Sequence, residues 1–328
     1  MLCWAVPTLL GVTAAGQSEP PRYRPAIPLG LDLYMPVPED NPLTAEKIAL
    51  GGKLFSDPRL SRDRTLSCAT CHDPQHGFTD KRAVSVGVFG RKGTRNVPTL
   101  INRAYGRSFF WDGRITGLEE QVLKPIQDPK EMDMPLDEVV ARLNQGTEYR
   151  QRFQTAFGRA ICAEDVAKAL ASYVRTILSG NAPVDRYYLT GEATALSEPA
   201  MRGLRLFQGK GHCTACHIGP TFTDELFHNT GVAWRDGRLL DEGRYAITKR
   251  EADRGAFKTP TLREVVLTAP YMHDGSIPTL EKVIERYSNG GIKNPQLDEE
   301  IRPLNLTADE QRDLLAFLKS LTGNDVRQ

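Results

Sequence analysis

Apolar residues along the chain recur mainly at helical spacing. In residues 163–180, AEDVAKALASYVRTILSG, apolar side chains follow Val166 at positions i+4, i+7, i+8 and i+11, and the segment ends in glycine. Residues 306–323, LTADEQRDLLAFLKSLTG, carry Thr307 and Glu310 at the spacing of a capping box. No Asn-Gly pair between alternating apolar runs marks a β-hairpin. The pattern predicts a mainly α-helical protein.

The pattern is also repeated along the chain. Residues 96–125 and 258–287 align without gaps at a constant offset of 162, with Pro-Thr-Leu, Asp-Gly and Leu-Glu in both. Upstream, GGKLF at residues 51–55 resembles RGLRLF at residues 202–207. Such a repeat predicts a tandem duplication of one helical domain.

Length agrees with two domains, because 328 residues exceed the roughly 250–300 at which a single core tends to split. We place the domains at residues 41–180 and 181–328, with the boundary near the polar stretch that begins at Ser179. Residues 1–16, MLCWAVPTLLGVTAAG, are uncharged and end in small residues, which resembles a secretory signal sequence. The alternative for these residues is a disordered or buried N-terminal arm. Residues 17–40 are expected to form an N-terminal arm in either case.

The near-zero net charge of the chain does not favour partners with a strong negative charge. The chain has 42 Lys and Arg against 41 Asp and Glu, a net charge of +1, which gives no reason to expect nucleic acid or an acidic membrane as partner. No apolar run approaches the roughly 20 residues of a membrane span.

Two short stretches carry the clearest chemistry, CATCH at residues 68–72 and CTACH at residues 213–217. A Cys-x-x-Cys pair alone fits a redox dithiol, half of a zinc site or a haem attachment site. The histidine after each pair favours c-type haem, which is bound through two cysteines while an imidazole ligates the iron. A four-cysteine zinc site is disfavoured, because its two pairs usually lie roughly 15–20 residues apart, far closer than the two pairs of this chain. The predicted haem residues are Cys68, Cys71 and His72 at the first site, and Cys213, Cys216 and His217 at the second.

The two copies differ where each iron would receive its second ligand. At the offset of 162, Tyr287 aligns with Pro125, and proline has no donor atom. If this helix crosses each haem, Tyr287 can ligate the second iron while the first stays open; the alternative is that Tyr287 is a core aromatic. A helix over residues 116–132 would carry Gln121, which can orient a ligand, and Glu131, which can move its proton. The alternative for Glu131 is a solvated surface side chain.

Together these motifs resemble those of the bacterial di-haem cytochrome c peroxidase and MauG family, over residues 41–322. The resemblance rests on both haem motifs and on RNVPTL, FWDGR, EQVLKPIQDPKEM, FHNTGV, KTPTLR and APYMHDG. It implies that Trp111 lies between the haems and carries electrons between the irons. It also implies that Gln121, Pro125 and Glu131 line a peroxide pocket at the N-terminal haem.

The family further implies a calcium ion at the domain interface, held by Asn96 and by the carbonyl oxygens of Thr268 and Pro270.

In two respects this chain resembles MauG and departs from the typical peroxidases of the family. Their loop before RNxPT contains a histidine that caps the first iron, whereas residues 83–94, AVSVGVFGRKGT, contain none. They have methionine where Tyr287 stands, and MauG has tyrosine.

The expected function is that of a periplasmic oxidoreductase, since covalent haem is attached outside the cytoplasm. It would react with hydrogen peroxide at an open N-terminal haem and share oxidising equivalents with the second haem. Electrons would come from a small redox protein, a cytochrome c or a cupredoxin, or from an oxidisable protein substrate as in MauG. Gly211 stands where MauG has the tryptophan that oxidises its substrate, which weakens that alternative. The third alternative is a di-haem electron carrier.

Overall fold

The fold is built from short helices joined by long loops. The structure, a computed structural model, describes residues 21–323, so the predicted signal sequence lies outside the described residues. The helices are α1 Ala45–Phe55, α2 Cys68–Cys71, α3 Leu118–Gln121, α4 Lys124–Gln127, α5 Leu136–Asn144, α6 Thr147–Phe157, α7 Ala163–Val174, α8 Pro183–Leu189, α9 Glu198–Gln208, α10 Tyr245–Thr248, α11 Leu280–Ser288 and α12 Ala308–Lys319. The strands are β1 Phe227–His228, β2 Trp234–Arg235, β3 Arg238–Leu239 and β4 Phe257–Lys258. The predicted mainly α-helical class is confirmed.

In the N-terminal half, α1 packs against α7. The helix α1 begins after Thr44, whose hydroxyl accepts a hydrogen bond from the Lys47 N–H at 3.3 Å. A Cβ on Gly51 would lie only 2.0 Å from the carbonyl oxygen of Ala169 on α7. The two helix backbones therefore touch at a point that only glycine permits.

The C-terminal half repeats this contact between α9 and α12. A Cβ on Gly203 would lie 1.9 Å from the carbonyl oxygen of Asp313. The capping box predicted at the start of α12 is present, because the Glu310 N–H donates to the Thr307 hydroxyl at 3.2 Å and the Thr307 N–H donates to the Glu310 carboxylate at 2.7 Å. Each half thus has a glycine-mediated helix pair on its own apolar core.

Loop geometry also repeats at the offset seen in the sequence. The backbone bridge between Phe109 and Ile115 recurs between Tyr271 and Ile277. Phe110 and Met272, again 162 positions apart, have positive φ angles of 65° and 75°. The two halves therefore follow the same backbone path through the segments that were aligned.

One predicted element is wrong. Residues 116–132 do not form a single helix: α3 ends at Gln121, α4 covers Lys124–Gln127, and Glu131 lies in the turn beyond. Pro125 lies in the first turn of α4, where its missing N–H costs no helical hydrogen bond. The chain can therefore turn after α4 and bring Glu131 back toward the core.

The β-structure is minimal. Strands β2 and β3 form a two-residue hairpin around Asp236 and Gly237, which have φ angles of 50° and 74°. Strands this short leave no alternating apolar run in the sequence, which is why no hairpin was predicted there.

Ion pairs hold the halves together. Arg95 binds the Asp241 carboxylate with both Nε and Nη2, at 2.8 and 2.9 Å, and Arg103 contacts Glu225 at 2.6 Å. The segment that begins at Ser179, where the domain boundary was placed, contains α8. These contacts fix the faces that enclose the candidate site.

Candidate active site

One cavity of about 640 Å³ lies between the halves and is lined by both cysteine motifs. Every residue predicted above to bind haem, peroxide or calcium contributes to its wall. They are Cys68, Cys71, His72, Asn96, Trp111, Gln121, Pro125, Glu131, Cys213, Cys216, His217, Thr268, Pro270 and Tyr287. The fold therefore brings together residues that are far apart in the sequence.

The four motif cysteines are free thiols. Burial raises the pKa of Cys68, Cys71 and Cys213 to about 12. Catalytic dithiols need a lowered thiol pKa, so the redox-dithiol alternative is not supported. Among the described residues, the one group of three or more metal-ligand side chains is Cys216, Asp224 and His228, so the two cysteine pairs do not form a joint zinc site.

The two motif histidines are held in the same way. His72 donates from Nδ1 to the Phe78 carbonyl oxygen at 3.0 Å, and His217 donates from Nδ1 to the Phe222 carbonyl oxygen at 2.9 Å. This bond fixes the tautomer and leaves Nε2 with a free lone pair. Burial lowers the pKa of His72 to about 4 and also lowers the pKa of His217, so both rings are neutral near pH 7. Free thiols and a neutral imidazole at each motif fit covalent haem.

Positions 125 and 287, which align at the offset of 162, differ in the donor atoms that they offer to the cavity. Tyr287 lies near the end of α11, which begins after the capping residue Thr279 and stays continuous to Ser288. Burial raises the pKa of the Tyr287 hydroxyl to about 12. At the corresponding point of the first half, Pro125 lines the cavity and offers no ligand atom.

Glu131 is one of the acidic residues on the first half's cavity wall, together with Asp112 and Asp128. Its peptide N–H donates to the Asp128 carbonyl oxygen at 2.9 Å, and its own carbonyl oxygen accepts from the Val88 N–H at 2.8 Å. Burial, and then the nearby Asp128 carboxylate, raise the pKa of the Glu131 side chain to about 7. A carboxyl with this pKa can both take and give a proton near neutrality.

Trp111 is fixed between the halves by its backbone and its ring. The indole Nε1 donates to the Asn96 carbonyl oxygen at 2.8 Å, and the Trp111 carbonyl oxygen accepts from the Lys258 N–H at 2.8 Å. The Asn96 N–H in turn donates to the His273 carbonyl oxygen at 2.7 Å. Hydrogen bonds therefore anchor Trp111 to residues of both halves on the cavity wall.

The residues predicted to hold calcium present neutral oxygens. The Asn96 amide nitrogen donates to the Arg82 carbonyl oxygen at 2.8 Å, which turns its side-chain oxygen to other partners. The peptide bond between Ala269 and Pro270 is cis. Oxygen ligands suit calcium, which takes six to eight of them, so water would have to complete this set.

Among the charged residues on the cavity wall that were not predicted are Lys258 and His228. Lys258 is buried 3.4 Å from Glu225, and burial, then Arg103, lower its pKa to about 8. His228 donates to Asp224 at 2.9 Å and to Asp298 at 2.6 Å. A hydrogen bond to the Cys216 sulfur, followed by those to the two carboxylates, raises the pKa of His228 to about 10. The stretch FHNTGV pointed to His228, but its distant partners were not readable from the sequence.

Comparisons with known proteins agree with this geometry. Residues 45–194 match the family described as di-haem cytochrome c peroxidase. The methylamine utilization protein MauG of Methylorubrum extorquens is 45% identical over 289 residues, 88% of this chain and 81% of that protein. Cytochrome c551 peroxidase of Pseudomonas aeruginosa is 35% identical over 308 residues, 90% of this chain and 86% of that protein. The crystal structure of a MauG-like protein associated with microbial copper homeostasis has a TM-score of 0.83 at 36% identity, covering 96% of this chain and 97% of that one.

A helical fold with two Cys-x-x-Cys-His motifs on one cavity defines a c-type haem protein. The chain belongs to the di-haem cytochrome c peroxidase and MauG family, whose members are oxidoreductases. Membership implies two c-type haems, and the thiols and imidazoles described above fit them. Within residues 21–323, no helix has the length and apolar character needed to cross a bilayer.

Proposed function

We propose that this chain is a periplasmic di-haem oxidoreductase that reacts with hydrogen peroxide at its N-terminal haem. It would have an N-terminal haem domain at residues 41–180 and a C-terminal haem domain at residues 181–328, related by internal duplication. The repeated helix contacts and the repeated loop geometry at the offset of 162 support this division.

The observation that carries the proposal is the difference between the two cavity walls. His72 and His217 present Nε2 in the same way, but at the aligned positions 125 and 287 the cavity wall carries a proline in one half and a tyrosine in the other. Tyr287 would supply a phenolate ligand to the C-terminal haem, while the N-terminal haem would keep an open face. When bound, the haems supply irons that exchange electrons with peroxide.

Glu131 would provide acid–base catalysis at the open face. Reduction of one hydrogen peroxide to two waters takes up two electrons and two protons. With a pKa near 7, Glu131 can accept the proton of one peroxide oxygen and deliver it to the other, which then leaves as water. Gln121, on the same wall, would orient the bound peroxide through its amide.

Trp111 would carry electrons between the two haem sites, since it lines the shared cavity and is held on both sides. Asn96 accepts the indole hydrogen bond with its carbonyl oxygen, so a calcium ion on its side chain, with Thr268 and Pro270, would stiffen the same interface. The electron donor would be a small redox protein, a cytochrome c or a cupredoxin, or an oxidisable protein substrate.

Oxidation of a partner protein in the manner of MauG is the second candidate. The tyrosine at position 287 and the lack of a histidine in residues 83–94 favour it. The environment of Gly211 counts against it, because a Cβ there would lie 2.7 Å from the Leu206 carbonyl oxygen. A tryptophan cannot occupy this position without movement of the backbone, so a partner would need another route. A di-haem electron carrier would need a second ligand opposite His72, where Pro125 stands.

The test uses the fully oxidised, as-isolated holoprotein. Denatured and alkylated protein should retain the mass of two haems, and stopped-flow spectra should change at once on mixing with hydrogen peroxide, without prior reduction. Two six-coordinate low-spin haems that ignore peroxide until the protein is half-reduced would overturn the open-site proposal. Fewer than two haems would overturn the di-haem assignment.

A further inference from the structure

The segment that lacks a histidine, residues 83–94, folds as a small hairpin on the cavity wall. Val86 and Lys92 form an antiparallel bridge, and the Gly87 N–H donates to the Arg91 carbonyl oxygen at 2.7 Å. The tip of the hairpin, Val88–Gly90, is a single 3₁₀ turn with Val88 buried. The hairpin is therefore closed on itself before it meets the rest of the protein.

Its tip rests on the segment that carries Glu131. The Val88 N–H donates to the Glu131 carbonyl oxygen at 2.8 Å. A Cβ on Gly87 would lie 2.0 Å from the carbonyl oxygen of Lys130 and 2.6 Å from that of Glu131. The two backbones are thus in direct contact on the C-terminal side of Glu131, while Asp128 accepts the Glu131 N–H on the other side.

Arg91 adds a side-chain contact to the same segment. Its Nη1 donates to the Pro129 carbonyl oxygen at 2.7 Å and to the Asp133 carboxylate at 2.9 Å. Its guanidinium also lies over the Phe89 ring, 5.0 Å from the ring centre. Pro129 and Asp133 flank Glu131 by two residues on each side, so Arg91 spans the turn in which Glu131 sits.

We propose that residues 83–94 form a fixed clamp on the Glu131 turn and that Arg91 is its positioning residue. This rests on the proposed role of Glu131 in peroxide chemistry. A hairpin anchored in this way holds the carboxyl group at the cavity wall before peroxide arrives. The protein then needs no loop movement to assemble its acid–base group.

The test compares Arg91→Ala with Lys92→Ala, its exposed neighbour, both as holoproteins. Hydrogen exchange of the Val88 amide reports the clamp directly, without reference to activity. In Arg91→Ala we expect this exchange to rise about tenfold and the reaction with peroxide to slow about 3- to 10-fold, below the ~10²-fold that a 1 Å misplacement can cost. Lys92→Ala should match the unsubstituted protein in both measurements.

A double variant separates positioning from general structural damage. If Arg91 acts through Glu131, adding Arg91→Ala to the Glu131→Gln variant should not slow the reaction with peroxide any further. An equal loss in both backgrounds, or unchanged Val88 exchange in Arg91→Ala, would overturn the clamp while the role of Glu131 stood. A Glu131→Gln protein with an unchanged peroxide rate would overturn that role, and the clamp's purpose with it.

Discussion

The two halves share a backbone path but differ in the residues that they contribute to the cavity wall at aligned positions. His72 and His217 make the same Nδ1 hydrogen bond to a backbone carbonyl. Elsewhere on the cavity wall, three residues of the first half differ in chemistry from those 162 positions later. Gln121, Pro125 and Glu131 correspond to Val283, Tyr287 and Lys293. The common scaffold thus sets the imidazole side, and we propose that these few substitutions leave one site open to peroxide and close the other.

Helix continuity explains part of this difference. In the second half, α11 is unbroken because its capping residue and its buried Leu280 and Ile284 lie at compatible spacing. In the first half, Pro125 begins a new helical turn, and the chain folds back so that the Met132 N–H donates to the Pro125 carbonyl oxygen at 3.1 Å. The break carries Glu131 toward the cavity, whereas Lys293 is exposed.

The largest expected effect follows from replacing Glu131, which has no acidic counterpart in the second half. Glu131→Gln keeps the shape of the side chain but removes the proton acceptor. We expect the reaction with peroxide to slow by about 10²–10⁴-fold, because a positioned acid–base group usually accelerates a reaction by this factor. Stopped-flow spectra at several peroxide concentrations would measure it.

A control for this change is Glu120→Gln, which alters an exposed carboxylate paired with Lys124 at 3.0 Å. It should leave the rate unchanged. A similar loss in both variants would mean that the net charge of this region matters, and that Glu131 has no specific role.

The second prediction tests the helix contact that the halves share. Gly51→Ala and Gly203→Ala should each destabilise the protein by about 1–3 kcal/mol, since the new Cβ meets a backbone oxygen and forces the helices apart. This outweighs the gain of about 1 kcal/mol in helix propensity from glycine to alanine. Urea unfolding would measure both changes.

Gly52→Ala is the control on the same helix, because a Cβ there would meet the movable ring of Tyr173 at 3.2 Å. It gains the same propensity without the backbone collision. Equal stability changes at Gly51 and Gly52 would contradict the proposed close contact.

The part of the site that depends on residues close together in the sequence could be predicted. The part that depends on contacts between distant residues could not. Covalent haem chemistry requires cysteines and histidine within five residues, so His72 and His217 could be read from the motifs. Glu131 was identified by resemblance, but its place in a turn depends on the break at Pro125 and on Val88 from a distant hairpin. The His228 ring is held by a hydrogen bond to Asp298, 70 residues away in the sequence. Pairings of this kind leave no periodic signal in a single sequence.

The third prediction concerns pH. Because the Glu131 pKa is raised to about 7 by burial and then by Asp128, its carboxylate form is lost as pH falls through 7. If Glu131 accepts the peroxide proton, the rate should fall about tenfold per pH unit below 7 and level off above it. Rates between pH 5 and 7 lie above the pKa of His72, which is lowered to about 4, and below that of Lys258, which is lowered to about 8.

Glu131→Gln should show a flat profile over the same range. A slope that persists in this variant would assign the titration to another group.

The smallest expected effect on stability comes from Trp111, the residue proposed to connect the two halves. Trp111→Phe removes the indole hydrogen bond to the Asn96 carbonyl oxygen, and we expect a loss of about 1 kcal/mol in the free energy of unfolding.

Trp234→Phe is the control, because the Trp234 indole N–H is buried without a hydrogen-bond partner among the described residues. Both haem spectra should remain unchanged in both variants, but only Trp111→Phe should slow the sharing of electrons between the sites. Should sharing stay as fast, the route would pass through the second half's equivalent position, where His273 stacks on Phe257 with ring centres 3.6 Å apart.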